Sequence, residues 1–167
     1  GLAGQKDCRA RMGQFWRGDV DIPEEKRAKE IFAALHSNVY RAFDYETEDD
    51  IYDTLAHSVT GELLDDIYNV IYHGVVLRDY GGSTCKIERV KILRSEMLAP
   101  TTGYDNENAQ FRMSCDWRVV GSLEHSGHVH NRVNEYSAVY TLKLLEQKWK
   151  ISNVEIREQK RVVGENE

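Results

Sequence analysis

The feature that most constrains this chain is a change of hydrophobic period near its midpoint. As far as Gly81-Gly82-Ser83 the apolar residues recur at helical spacing, and beyond it they alternate. A period of about 3.6 residues puts apolar groups on one stripe of a helix, and a period of about 2 puts them on one face of a strand. The first half therefore reads as helices and the second as sheet. Each half has an apolar surface to hide, and packing one on the other hides both. The expected fold class is α+β, with three N-terminal helices packed on a strongly curved antiparallel sheet of about four long strands. A length of 167 residues suits one such domain. It is expected over residues 23–162, with residues 1–22 as an N-terminal arm carrying Phe15-Trp16 and residues 163–167 as a tail.

Pro23 opens the first helix, with Glu24 and Glu25 in a first turn where the helix dipole favours acid. Its stripe is Ala28, Ile31, Phe32, Leu35, Val39 and Phe43. Thr47-Glu48-Asp49-Asp50 is close to a capping box, with Asp in place of Glu, and starts a second helix whose stripe is Ile51, Leu55 and Tyr52. Asp49, Asp50 and Asp53 do not share one helical phase, so they read as a solvated first turn rather than a metal site. Thr60 caps a third helix with Leu63, Leu64, Ile67 and Ile71 inward, running to about Leu77.

The strands are expected at 85–98, 109–124, 128–145 and 148–162, with a loop at 100–108. Ser126-Gly127 suits a two-residue hairpin turn. Pairing His125 with His128 sets Trp117 opposite Tyr136, Val119 opposite Asn134, Gly121 opposite Arg132 and Leu123 opposite His130. The reverse face then pairs Arg118 with Glu135 and Val120 with Val133, and a slip of one residue would invert both faces. A turn at Glu146-Gln147 sets Trp149 opposite Leu144, and a phase change at Val154 and Ile156 implies a bulge near Asn153.

The inward face of this hairpin is apolar at one end and polar towards the turn. Trp117, Gly121, His128, His130, Arg132, Asn134 and Tyr136 form the expected ligand-binding set. Arg132 offers a planar fork for a small anionic ligand, His128 and His130 could donate or accept, and Gly121 leaves room opposite Arg132. The other reading of this set is an exposed strand end in which the groups satisfy one another and water.

A formal charge of −6 with scattered Lys and Arg, apart from Arg157, Lys160 and Arg161, speaks against nucleic acid as a partner. Cys8, Cys85 and Cys115 contain no CxxC, so neither a disulfide framework nor a zinc site is expected. Cys85 and Cys115 read as buried free thiols, with a bridge between them as the alternative in an oxidising compartment. No segment approaches a membrane span of about 20 apolar residues. The start at Gly1, without methionine, reads as a piece cut from a longer protein or as what tag removal leaves, and a signal peptide or anchor helix could have preceded it.

Three helices followed by four long antiparallel strands resemble the nuclear-transport-factor-2-like (SnoaL-like) superfamily over about residues 24–162. The residues carrying the resemblance are Val39-Tyr40-Arg41-Ala42-Phe43-Asp44, Trp117-Arg118-Val119 and Trp149-Lys150-Ile151. The chain also looks like bacterial members of that group with an N-terminal membrane anchor, which implies an extracytoplasmic domain. The resemblance implies a cone with a cavity between sheet and helices, and a homodimer. Val120, Val129, Val133 and Val139 on the outer sheet face would supply the interface.

Some members of that group are enzymes and many are catalytically silent binding or assembly modules, so the fold does not decide between them. The leading expectation is a non-catalytic small-ligand or protein-binding domain without a cofactor. One alternative is a cavity enzyme, an isomerase, dehydratase or hydrolase of a small anionic substrate, with Arg132 orienting it and His130 as catalytic base. No acid shares His130's face, since Asp116 and Glu135 point the other way. A second alternative is a divalent metal on His128 and His130, whose HxH spacing with Glu135 mimics a cupin motif. Against it, Glu135 falls on the other face and no histidine follows His130.

Overall fold

A computed structural model describes residues 22–79, 84–100 and 109–162. The arm, the Gly81-Gly82-Ser83 break, most of the 100–108 loop and the tail expected from the sequence lie outside the described residues, Ile22 and Pro100 excepted. Three α-helices, α1 (Glu25–Arg41), α2 (Glu48–Ala56) and α3 (Glu62–Asp79), precede four strands, β1 (Thr84–Met97), β2 (Gln110–His125), β3 (His128–Leu145) and β4 (Lys148–Val162). A short 3-10 turn, Ala42–Asp44, extends α1. The strands form one antiparallel sheet in the order β1-β2-β3-β4, and the helices pack on one of its faces. The α+β class is as expected.

Local chemistry explains the helix ends. Thr47 caps α2: its hydroxyl oxygen accepts from the Asp50 amide at 3.3 Å, and the hydroxyl donates to Asp50 Oδ2 at 2.8 Å. Asp in place of Glu therefore closes a tighter ring, through the Thr hydroxyl rather than the Thr backbone. The far end of α2 is held by its neighbours. Asn38 Nδ2 of α1 donates to Thr54 O at 2.8 Å, and Lys150 Nζ of β4 donates to Ala56 O at 2.7 Å. These bonds occupy carbonyls that a helix end leaves without partners. Beyond α2, Ser58–Thr60 hooks onto the edge of β4: Ile151 N donates to Ser58 O at 2.7 Å and Thr60 N to Ile151 O at 3.0 Å. Gly61, at φ +69°, then turns the chain into α3.

The sheet register follows the sequence reading residue for residue in β2 and β3, from His125↔His128 through Gly121↔Arg132 and Trp117↔Tyr136 to Phe111↔Leu142. Arg118 Nε and Nη2 donate to Glu135 Oε1 at 3.0 and 2.6 Å on the outer face. The β3–β4 turn also falls at Glu146-Gln147, with Leu144 opposite Trp149. The bulge places Ser152 between the Thr141↔Asn153 and Leu142↔Ile151 pairs, next to the expected position, and Ser152 Oγ donates to Thr141 O at 3.2 Å. Further register shifts fall in β4 after Ile156 and in β1 after Ile87 and Ile92.

The core joins Phe32, Ile51, Leu55 and Val59 of the helical half to Met113, Leu142 and Ile151 of the sheet, all essentially inaccessible. Three expectations need correction. Tyr52 is exposed, set edge-on against Tyr68 rather than facing the core. Cys85 is exposed while Cys115 is buried. Both thiols are free, because register sets Cys85 opposite Leu123 and Cys115 opposite Ser95, far apart along the sheet. The outer valines are also dispersed. Val120 pairs with Val133, Val129 stands exposed near the hairpin tip, and Val139 is buried.

Candidate functional site

The residues singled out from sequence divide into two groups. Trp117 is buried and Tyr136 half-buried, their rings stacked with centroids 5.2 Å apart, and Asn134 lies half-buried one rung further on. His128, His130 and Arg132 are exposed. His130 stacks on His125, with centroids 5.1 Å apart. The reason is length. A helix of 17 residues spans about 25 Å at about 1.5 Å per residue. Strands of 16 and 18 residues span about 55–60 Å at about 3.4 Å per residue. The helical layer covers β2 as far as Val119, and the hairpin tip outreaches it. Gly121 makes room for backbone: a Cβ there would lie 2.8 Å from the Lys86 carbonyl oxygen of β1.

An apolar cleft lies elsewhere, between the C-terminal half of α1, α3 and the β3–β4 end of the sheet. It is an apolar cavity of about 350 Å³. Val39 and Tyr40 of α1, Leu63 and Ile67 of α3 and Ile151 and Val154 of β4 form its walls. Its rim is Phe43, Val70 and Ile156, which are 39%, 69% and 52% exposed. Asp66 is the one carboxylate among the described lining residues.

His36 lines this cavity within an aromatic cage. Its ring lies 5.4 Å from Phe32, 5.2 Å from Tyr40, 5.1 Å from Trp117 and 5.7 Å from Tyr140. Trp117 Nε1 donates to the Tyr40 hydroxyl at 2.8 Å, tying the sheet to α1. Burial lowers the His36 pKa to about 4 and raises that of Tyr40 to about 12, and it also pushes the Tyr140 hydroxyl up. At neutral pH the cage is uncharged, a neutral imidazole among protonated phenols. Nε2 of His36 has no hydrogen-bond partner. His36 also borders a second, more open hollow between α1 and β1, lined by Ser37, Arg41, Asp44 and Glu88.

The sequence resemblance implied a cavity between sheet and helices, but the residues singled out for it lie towards the hairpin tip and none of them lines this one. Its signal was His36 itself, one polar residue four places after Phe32 and four before Tyr40 on the apolar stripe of α1. Nothing local distinguishes such a histidine from an ordinary core residue. No group of three or more His, Cys, Asp or Glu residues able to hold a metal occurs among the described residues.

No protein-family pattern matches the sequence, and comparison with curated proteins finds no match. Among solved structures, the chain is similar to the intermembrane space region of the chloroplast protein ARC6. Identity is 14% over 81% of this chain and 98% of that one, with a TM-score of 0.51. A de novo designed β-sheet protein matches at 14% identity over 81% of this chain and 92% of the other, with a TM-score of 0.37. At this identity the ARC6 likeness shows the fold alone.

Proposed function

We propose that this is a binding domain without catalytic activity, which holds an apolar group in the cavity between α1, α3 and the sheet. One observation carries the reading: a volume of about 350 Å³ with apolar walls that opens at an exposed apolar rim. Pockets of a few hundred Å³ with few polar groups are the usual form of small-molecule sites. The chemistry of the lining speaks against turnover, since a neutral imidazole of lowered pKa is a weak base and the phenols hold their protons. The enzymatic alternative, an anion on Arg132 with His130 as base, has only solvated groups to work with at the hairpin tip, as has a metal on His128 and His130.

The nuclear-transport-factor-2-like assignment, with its cone, belongs to this proposal, and helices packed on an antiparallel sheet are in keeping with it. So does an extracytoplasmic setting, since ARC6's matching region is itself an intermembrane-space domain. A homodimer through the outer face would use the row Val120, Val133 and Val162. Sedimentation equilibrium showing only monomer removes the dimer.

The cavity is tested with N-phenylnaphthylamine, a neutral dye that brightens in apolar surroundings. The protein should enhance its fluorescence saturably, and Leu63→Trp, which fills the cavity from α3, should weaken binding at least about tenfold, about 1.4 kcal/mol. Absence of saturable binding, or unchanged binding by the Leu63→Trp protein, refutes the reading.

A further inference from the structure

We propose that the free edge of β1 receives an extended acidic peptide as a further strand, at a surface separate from the cleft under α3. β1 is an edge strand: β2 pairs with one side of it, and no described residue pairs with the other. Its Lys86, Arg89, Lys91 and Arg94 are spaced three, two and three apart, which in a regular strand would split them between both faces. The register shifts after Ile87 and Ile92 each reverse the alternation. Lys86 therefore stands opposite Ser122, Arg89 opposite Val120, Lys91 opposite Arg118 and Arg94 opposite Asp116, all on the outer face. Ile87, Val90 and Ile92 turn inward and pack against the core. All four cations are exposed. Arg94 pairs with Glu96 at 3.2 Å, and Arg118 beside Lys91 is taken up by Glu135. Among the described residues Lys86, Arg89 and Lys91 have no ion-pair partner. In a chain of formal charge −6, two bulges thus gather a positive row along an open edge.

On the inner side of the same edge lies the hollow between α1 and β1, of about 560 Å³, with Ala33, Ser37, Ile87, Val90 and Ile92 in its lining. A strand laid along β1 would turn alternate side chains to the cation row and the others into this hollow. Its backbone would pair with the N–H and C=O groups that the edge leaves open. The partner therefore carries carboxylates two residues apart, with uncharged residues between them. Bulges and lysines commonly guard an edge against pairing. Here they shorten the ladder to residues 89–92 and repel a second β1, whose own cations would meet these, so an acidic strand is the one that gains by docking. An anionic membrane laid on the outer face would also meet Asp116, Glu135 and Glu158 beside the row. A single nucleic-acid strand would find no aromatic ring on the outer face of β1 to stack on.

The test uses fluorescence anisotropy on the intact chain at low salt, where screening is weak, with labelled eight-residue peptides. A peptide alternating glutamate and threonine should bind at least about tenfold more tightly than one of the same composition with its glutamates contiguous, or one with lysine for glutamate. Methylating the peptide's backbone nitrogens on the pairing side should weaken binding by at least about tenfold. The alternating peptide should also slow hydrogen exchange at the β1 amides that point away from β2. Arg89→Glu combined with Lys91→Glu should abolish binding, and Leu63→Trp in the cleft should leave it unchanged. Equal binding of the contiguous or methylated peptide, unchanged β1 exchange, or binding that survives the double charge reversal overturns the inference. So does absence of peptide binding, or binding to phosphatidylglycerol vesicles in its place. Each of these results leaves the cleft reading standing. Should the doubly reversed protein fail to fold, the methylated peptide and the exchange pattern of the parent protein decide: weakened binding with β1 protection supports the inference, and the lack of either overturns it.

Discussion

Two single residues carry more of this structure than their size suggests. Gly121 faces the β1 backbone so closely that a methyl group there would lie 2.8 Å from the Lys86 carbonyl oxygen. A backbone atom cannot swing aside as a side chain does, so Gly121→Ala should cost about 1–3 kcal/mol in urea denaturation. His36 is the opposite case, a polar side chain placed among rings where nothing local requires it. The sequence offered both residues, yet their roles were not legible. Glycine opposite arginine looks the same whether the space takes a ligand or a neighbouring strand. A histidine on an apolar stripe looks the same whether its nitrogen is partnered or not. His128, His130 and Arg132 were legible as a cluster on one face, but their exposure depends on how far the helices extend along that face.

Among the elements, α2 is the one most dependent on others. It has only nine residues, too short to be stable alone, and its C-terminal carbonyls are held by Asn38 from α1 and Lys150 from β4. Asn38 also donates to the buried Ser58 hydroxyl at 2.8 Å, just before the hook onto β4. Asn38→Ala should therefore cost about 1–3 kcal/mol, because it strips a partner from two groups at once. Hydrogen exchange should show the loss concentrated in α2 and at the amide of Ile151, where the hook is made. A uniform loss across the sheet would contradict this coupling. The start of α2 is different in kind, since the Thr47–Asp50 cap is written in four consecutive residues and was legible as such.

For the whole molecule, the buried histidine ties stability to acidity. The pKa of His36 falls from 6.5 to about 4 on folding because burial disfavours the charged ring. Between these values the unfolded chain binds a proton that the folded chain refuses, so stability rises with pH there. The contribution is fully present above about 6.5 and is lost as pH falls towards 4, amounting to about 3 kcal/mol. Thermal melts of the parent protein and of His36→Leu should diverge across that window, the variant losing less on acidification. Parallel pH profiles would show that the ring takes up its proton without cost.

The sequence by itself determined the order of helices before strands, the hairpin register and both tight turns. These depend on period, on turn residues and on which side chains alternate, all of which are local. Only the tertiary structure decided where the apolar cleft lies, because a cleft is a mismatch between surfaces brought together from distant parts of the chain. The helices are at most about half as long as the strands they cover, so the polar hairpin tip stays in water. The apolar cleft forms instead where α3 stands off the β4 edge, with His36 beneath it.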